Sequence, residues 1–327
     1  MGVTSNAIFG DVPRAEPATP GTYGEAPSGF RLPAATRLGP VRLVISDLAR
    51  SLDFYENVLG LRVMQRESSR AILAPFGEDR SLVELIERSG VRPVPHRGRL
   101  GLFHFAILLP DRASLGRFVR HLADTKAQAG AADHLVSEAF YLQDPDNLGI
   151  EIYADRPRTE WKRIGRELMM ATDPVDVASL VQAAGGAPWS GIPAGTTMGH
   201  VHLHVGAIEP AKAFYSEAVG LDRTVWHYPG ALFLGAGGYH HHLGTNTWAG
   251  AGARPPTDGD ARLLEWTIEL PDTASVMGLA ASLAAGSFPV EQHAGDLVTR
   301  DPWSTQLRVR VFHPHDATGR DHASTER

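Results

Sequence analysis

Residues 41–61 read VRLVISDLARSLDFYENVLGL, and residues 201–221 read VHLHVGAIEPAKAFYSEAVGL. The two stretches align without a gap at an offset of 160, so that Val41, Leu43, Phe54, Tyr55, Gly60 and Leu61 stand over Val201, Leu203, Phe214, Tyr215, Gly220 and Leu221. Ungapped self-similarity of this kind marks a duplication. Between the copies a second signature repeats: LPDRAS at 109–114 returns as LPDTAS at 270–275, and Asp144-Pro145 returns as Asp301-Pro302. Four related units result, near 38–88, 101–155, 197–249 and 262–313. Each opens with an alternating strand such as Val201-His202-Leu203-His204-Val205, and continues through an amphipathic stretch such as LARSLDFYENVL. It closes with two or three strand-like runs separated by Gly or Asp-Pro turns. The unit reads βαβββ. One such module with a single curved sheet buries little alone, so pairs of modules are expected to close around a cavity. The fold class is therefore α+β, with four modules making two barrel-like domains.

Modules one and two occupy 36–158 and modules three and four 196–313. Residues 159–195, which contain TEWKRIGRELMMAT and DVASLVQAAGG, read as a helical connector ending at Gly185-Gly186. Residues 1–35, rich in Pro, Gly and Ala, and residues 314–327 lack apolar periodicity and are expected to be flexible tails.

Hydrophobic residues make up 43% and charged residues 21% of the 327-residue chain, the balance of an ordinary globular protein. The net charge of -6 is modest and Lys and Arg are scattered, which argues against a nucleic-acid partner. The chain has no cysteine, which excludes disulfides, thiolate metal sites and cysteine nucleophiles, so any metal must rest on His, Asp or Glu. No apolar run approaches a membrane span and the amino terminus lacks a signal-peptide pattern, so no membrane partner is expected and the cytoplasm is the expected location.

The repeats act as a ruler. The first-strand position seven residues before the turn Asp, or its repeat equivalent, holds Pro40, His104, His200 and Glu265. The position seven residues after the Asp of Asp-Pro holds Glu151 in module two and Arg308 in module four, while module one offers Glu84 and module three the run YHHHLG at 239–244. Pro binds no metal and Arg308 repels one, so only modules two and three are rich in ligands. Two imidazoles and a carboxylate on one face, with open positions, make the facial arrangement of non-haem Fe(II) oxygen chemistry. His104, His200 and Glu151 supply it if module two pairs with module three, the pairing adopted here. Pairing with module one would instead place Pro40 beside His104 and Glu151, with Glu84 as the third ligand.

This organisation resembles the vicinal oxygen chelate superfamily of glyoxalases, bleomycin-binding proteins and extradiol ring-cleavage dioxygenases. Within it, DHLVSEAFYLQDPDNLGIE at 133–151 is similar to the extradiol dioxygenase signature, in which a His, a Tyr and an Asp-Pro turn lead to a ligating Glu. Ala132 and Asn147 depart from the usual pattern, the second mildly because Asn tolerates a left-handed turn. The pair GHVHLHV at 199–205 and GGYHHH at 237–242 is similar to the catechol 2,3-dioxygenase-like members. By this match His134 and Tyr141 would bind the substrate oxygens. With 240–242 read as strand, His240 and His242 share one face and His241 the other, and His242 or His240 would be the acid–base residue.

The resemblance implies an Fe(II)-dependent, or less favoured Mn(II)-dependent, dioxygenase that cleaves a catechol-type aromatic diol with O2, assembled as a homo-oligomer. Two alternatives remain: a glyoxalase-like isomerase or lyase on another divalent metal, and a cavity protein that sequesters an aromatic compound. Plainer roles are also open for single residues. His200, His202 and His204 lie on one strand face and would suit the wet side of an open sheet. Tyr141 would suit cavity packing, and the His240–His242 run an adventitious metal patch. His121, His227, His293, His313 and His315 fall in no ligand register.

Overall fold

The computed structural model of the chain describes residues 2–10 and 15–312. Two curled sheets contain all four modules, but the modules do not pair as sequence neighbours. In the first sheet the strand order is Asp222–Val225, Ala231–Gly235, Leu243–Asn246, Thr197–His204, Gly101–Leu108, Gly149–Asp155, Ser137–Gln143, Gly130–Asp133. Modules three and two thus join at their first strands, which run antiparallel. The second sheet joins modules four and one in the same way, through Arg262–Leu270 and Val41–Ile45. The two-plus-three pairing read from the ligand pattern is the one the fold adopts. Apolar residues of both sheets, among them Leu43, Tyr55, Phe105, Ile150, Phe214 and Trp266, form one continuous core.

The repeated Asp-x-x-Ser is a helix start. Asp111 accepts from Ser114 N at 2.6 Å to cap Arg112–Thr125, and Asp272 accepts from Ser275 N at 2.7 Å to cap Thr273–Ala285. Asp47 does the same for Leu48–Asn57 through Arg50 N at 2.9 Å. Each carboxylate satisfies an amide that the helix itself leaves without a partner.

The connector departs from the sequence expectation. It is helical only at Val177–Ala183, after a short 3-10 turn at Arg158–Glu160. The stretch TEWKRIGRELMMAT instead forms strands Lys162–Ile164 and Glu167–Leu168, which pair with Glu16–Pro17 in a three-stranded sheet. Gly165, at φ +60, makes the turn between them, and the buried side chains of Leu168 and Met170 follow a strand period of two. The expected amino-terminal tail is likewise not loose in the described residues. Ala18, Tyr23 and Leu32 are buried. Glu25 exchanges both main-chain bonds with Arg223, and Leu32 N donates to Gly220 O at 2.8 Å. A segment without periodicity is held here by an existing strand edge, which supplies the hydrogen bonds it cannot make internally. The tail expected at 314–327 lies outside the described residues.

Candidate metal centre

Three adjacent strands build the site. Ala106 is paired with His200 on one side and with Glu151 on the other, and His104 lies two residues from Ala106. Side chains two apart on a strand, and side chains directly across a ladder, share a face. His104, His200 and Glu151 therefore converge from one face of the sheet. The Nε2 of His104 is 3.0 Å and the Nε2 of His200 is 3.1 Å from Glu151 Oε2, and the two Nε2 atoms are 3.3 Å apart. Ligands about 2.1 Å from a common ion and at right angles to one another would be separated by about 3.0 Å. All three residues are buried, and Glu151 Oε1 has no partner. The donor set and spacing fit a divalent cation on two imidazoles and a carboxylate. Among the described residues this is the one His/Cys/Asp/Glu group whose ligand atoms converge in this way.

Electrostatics agree with metal-ready ligands. Burial holds the His104 and His200 pKa values below the ordinary histidine range against the pull of Glu151, so both rings keep a lone pair for coordination. Burial pushes Glu151 up, but His200 and His104 outweigh it and hold the carboxyl well below its usual range.

These ligands line a cavity of about 250 Å³. His134 and Tyr141 line it too, with His134 Nε2 at 2.5 Å from the Tyr141 hydroxyl. His134 Nδ1 lies 2.6 Å from the Ala171 carbonyl, which can only accept, so Nδ1 carries the proton and Nε2 accepts from Tyr141. Burial, then the Glu151 charge, raises the Tyr141 phenol well above its ordinary value, which keeps it a donor.

The histidine run differs from its reading as a strand. Gly237 and Gly238 at φ +60 and +68 turn the chain, and residues 240–242 form a loop before strand Leu243–Asn246. The strict alternation expected of a strand is lost. His241, not His240 or His242, lines the cavity, its ring centroid 4.1 Å from that of His200. His242 is turned away: its Nδ1 accepts from Ala236 N at 3.2 Å, and burial above all lowers its pKa to about 3. His240 stands behind His241, with Nδ1 to Nδ1 at 2.6 Å and its Nε2 at 2.9 Å from Asp155 Oδ1. An ionised carboxylate only accepts, so in the neutral ring Nδ1 of His240 accepts from His241 and leaves His241 Nε2 with its lone pair.

Sequence reading also missed His202, which is buried opposite His104 and accepts from Asn246 Nδ2 at 2.9 Å. The wet sheet face, the plainer alternative for this row, does not hold at His202, which with His200 is cavity wall. Tyr228 lines the cavity as well.

The other module pair holds a charge cluster at the corresponding register. Arg308, the counterpart of Glu151, donates to both oxygens of Glu265, the counterpart of His104, at 2.6 and 2.9 Å. Arg42 lies 3.6 Å from Glu265 and 3.2 Å from Glu84, and Arg70 pairs with Glu84 at 2.8 Å. These arginines and carboxylates form one ion-pair cluster.

Comparison with known proteins agrees with this geometry. Residues 37–152 match the model of the Glyoxalase/Bleomycin resistance protein/Dioxygenase superfamily. A catechol-2,3-dioxygenase of Bacillus subtilis (strain 168) is 41% identical over 273 residues, covering 82% of this chain and 95% of that protein. Solved structures share the fold at low identity. One from Bacillus subtilis, provisionally assigned as a dioxygenase, superposes with a TM-score of 0.57 at 12% identity over 89% of this chain and 90% of its own. Glyoxalase I from Zea mays gives 0.51 at 17% identity over 84% and 92%. The chain belongs to the Glyoxalase/Bleomycin resistance protein/Dioxygenase superfamily, as a relative of catechol-2,3-dioxygenase.

Proposed function

We propose that the protein is an extradiol dioxygenase that opens a catechol-type ring with O2, using Fe(II), with Mn(II) as the alternative, on His104, His200 and Glu151. The observation that carries this reading is the meeting of three ligand atoms within 4.8 Å in a cavity that also holds His241, His134 and Tyr141. The relative of that activity at 41% identity supports it. A divalent ion held by His104, His200 and Glu151 would acidify the ring hydroxyls and bring the diol and O2 together.

The protein's own groups handle protons and orientation. His241 Nε2, kept bare by the hydrogen bond at Nδ1, accepts a proton from the diol and returns it later in the cycle. The Tyr141 hydroxyl, its proton given to His134 Nε2, accepts from a ring hydroxyl through its oxygen, and His134, locked by the Ala171 carbonyl, fixes the direction of that oxygen's lone pairs. Phe103, Phe233 and Trp248 line the cavity and give the ring an apolar bed. Ring opening beside the diol places both atoms of O2 in a semialdehyde acid.

Anaerobic reconstitution with Fe(II), followed by oxygen-electrode and absorbance measurements on a panel of catechols, tests this. One O2 consumed per catechol with growth of a ring-opened chromophore is the expected result. Stoichiometric metal without oxygen uptake on any catechol would overturn it.

A further inference from the structure

One wall of the cavity comes from a segment that precedes the first module. Gly2 lines the cavity alongside Met170, Ala171, Thr172, Tyr228 and Trp248. Thr172 N donates to Val3 O at 2.9 Å, Val3 N donates to the Tyr228 hydroxyl at 2.9 Å, and Ser5 N donates to Asp173 Oδ1 at 2.8 Å. The Thr172 and Tyr228 hydroxyls are themselves 2.9 Å apart, so the Tyr228 hydroxyl ties the segment to the wall it covers. Val3 and Ile8 pack, partly buried, on the apolar cluster of Met170, Tyr228 and Phe233. The fit at the wall is close: a Cβ on Gly2 would fall 2.2 Å from Thr172 Cγ2.

The attachment is narrow. Helix Ser5–Phe9 has no fully buried residue, and the segment is held mainly by three amide-linked bonds and two half-buried side chains. Segments with so few buried contacts open at a small fraction of the global unfolding cost. Closed, this one bounds on its Tyr228 side a cavity of about 250 Å³, near the lower limit for organic ligands and suited to a single ring with small substituents. Open, it would widen the cavity beside Tyr228 and Thr172.

We propose that residues 2–9 are a movable wall that sets the size of ring substituent the enzyme accepts, an inference that rests on the catechol reading of the site. Closure around a bound ring excludes water and rejects bulk on the Tyr228 side. Substrates too large for the closed cavity leave the wall undocked and react slowly.

The test compares kcat/KM for catechol and for 4-tert-butylcatechol in the Fe(II)-loaded full chain and in the Val3→Asp/Ile8→Asp variant. Neither side chain lines the cavity, and two carboxylates placed against the Met170–Tyr228 cluster undock the segment. The ratio of bulky to unsubstituted substrate is expected to rise about tenfold or more, the scale on which a pocket wall discriminates added carbon groups. A ratio within about twofold of wild type, in a variant with normal circular dichroism and metal content, overturns the proposal. Ser5→Pro is the milder second variant, because proline is tolerated at a first helical position and removes only the amide bonded to Asp173. It is expected to move the ratio in the same direction by a smaller factor, and an unmoved ratio in both variants again overturns the assignment. Failure of the catechol reading looks different: wild-type protein loaded with Fe(II) would then consume no oxygen with either substrate.

Discussion

The hydroxyl of Tyr55 in module one donates to Asp144 in module two at 3.2 Å, and Tyr215 in module three repeats the bond to Asp301 in module four at 2.9 Å. The Tyr of each FYxxxxGL-type stretch thus reaches the Asp-Pro turn of the next module, which belongs to the other sheet. These two buried contacts clamp the sheets together and explain why both signatures recur at fixed spacing. Asp144 also accepts from Asp146 N and Leu148 N, and Asp301 from Trp303 N and Thr305 N, so each carboxylate organises its own turn as well.

Tyr215→Phe is therefore expected to lower the free energy of unfolding by about 1–2 kcal/mol, measured by urea denaturation. For Tyr55→Phe the loss depends on pH. Burial, outweighing the bonds from Leu148 N and Asp146 N, raises the Asp144 carboxyl to about 7. The native state thus holds a proton that the unfolded chain releases near its ordinary, lower value, and stability falls as pH climbs toward 7. The Tyr55 hydroxyl favours the charged form and opposes that fall. Removing it should cost more at pH 8 than at pH 5, and an equal cost at both would show that Asp144 does not titrate between them.

Arg308→Met probes the charge cluster of modules one and four. It leaves Glu265 buried with Gln306 and the more distant Arg42 as its remaining partners, at an expected cost of roughly 3 kcal/mol at neutral pH. In the wild type, burial raises and Arg308 lowers the Glu265 pKa, and the net direction is down. A depressed carboxylate contributes stability above its unfolded pKa and loses it as pH falls through the folded one. Acidification should thus weaken the wild type while narrowing its gap to the variant, as Glu265 becomes neutral. A gap that stays constant between pH 7 and pH 4 would count against this account.

The fold and the convergence of His104, His200 and Glu151 were legible because both depend on period and register. The 160-residue offset placed His200 over Pro40, and the Asp-x-x-Ser caps placed His104 over Glu265, which set the two module pairs apart in their ligand types. What failed was irregular backbone. The run His240–His242 alternates only if it is a strand, and Gly237-Gly238 at positive φ break that premise, so His241 and not its neighbours lines the cavity. The stretch from Trp161 to Met170 has helix-forming composition, yet it pairs with a strand from residues 16–17, a partner more than a hundred residues away that no local pattern announces. Gly149 shows the same dependence on neighbours: a Cβ there would stand 1.9 Å from Phe103 O, so only glycine lets the Glu151 strand approach the His104 strand.

Glu151→Gln keeps the shape of the ligand cluster and removes its charge. Metal affinity is expected to fall by about a hundredfold or more, read by equilibrium dialysis with elemental analysis, because a neutral amide replaces the one anionic ligand. His104→Ala should do likewise. Glu84→Gln, in the other module pair, should leave metal content at wild-type level. Loss of metal in the Glu84 variant would move the centre to the other sheet.

The chain from Asp155 through His240 to His241 carries a kinetic prediction. Asp155 is part-exposed while His240 and His241 are buried, so the carboxylate fixes from the edge of the site which nitrogen of His241 bears its proton. Asp155→Ala frees His240 to adopt the other tautomer, after which His241 Nδ1 becomes the acceptor and its Nε2 carries a proton instead of a lone pair. Neither metal nor ring binding depends on that choice. The expected signature is a fall in kcat of about 10²-fold, at the lower end of what a positioned acid–base group contributes, with KM for catechol changed by less than about threefold. Asp155 also accepts from Tyr239 at 3.3 Å, so a purely structural role has to be separated. Asp155→Glu retains an acceptor and should recover part of kcat, whereas lost packing would not return with a longer side chain. If kcat stays within about twofold of wild type in Asp155→Ala, His241 takes its orientation from some other contact and the relay has no part in turnover.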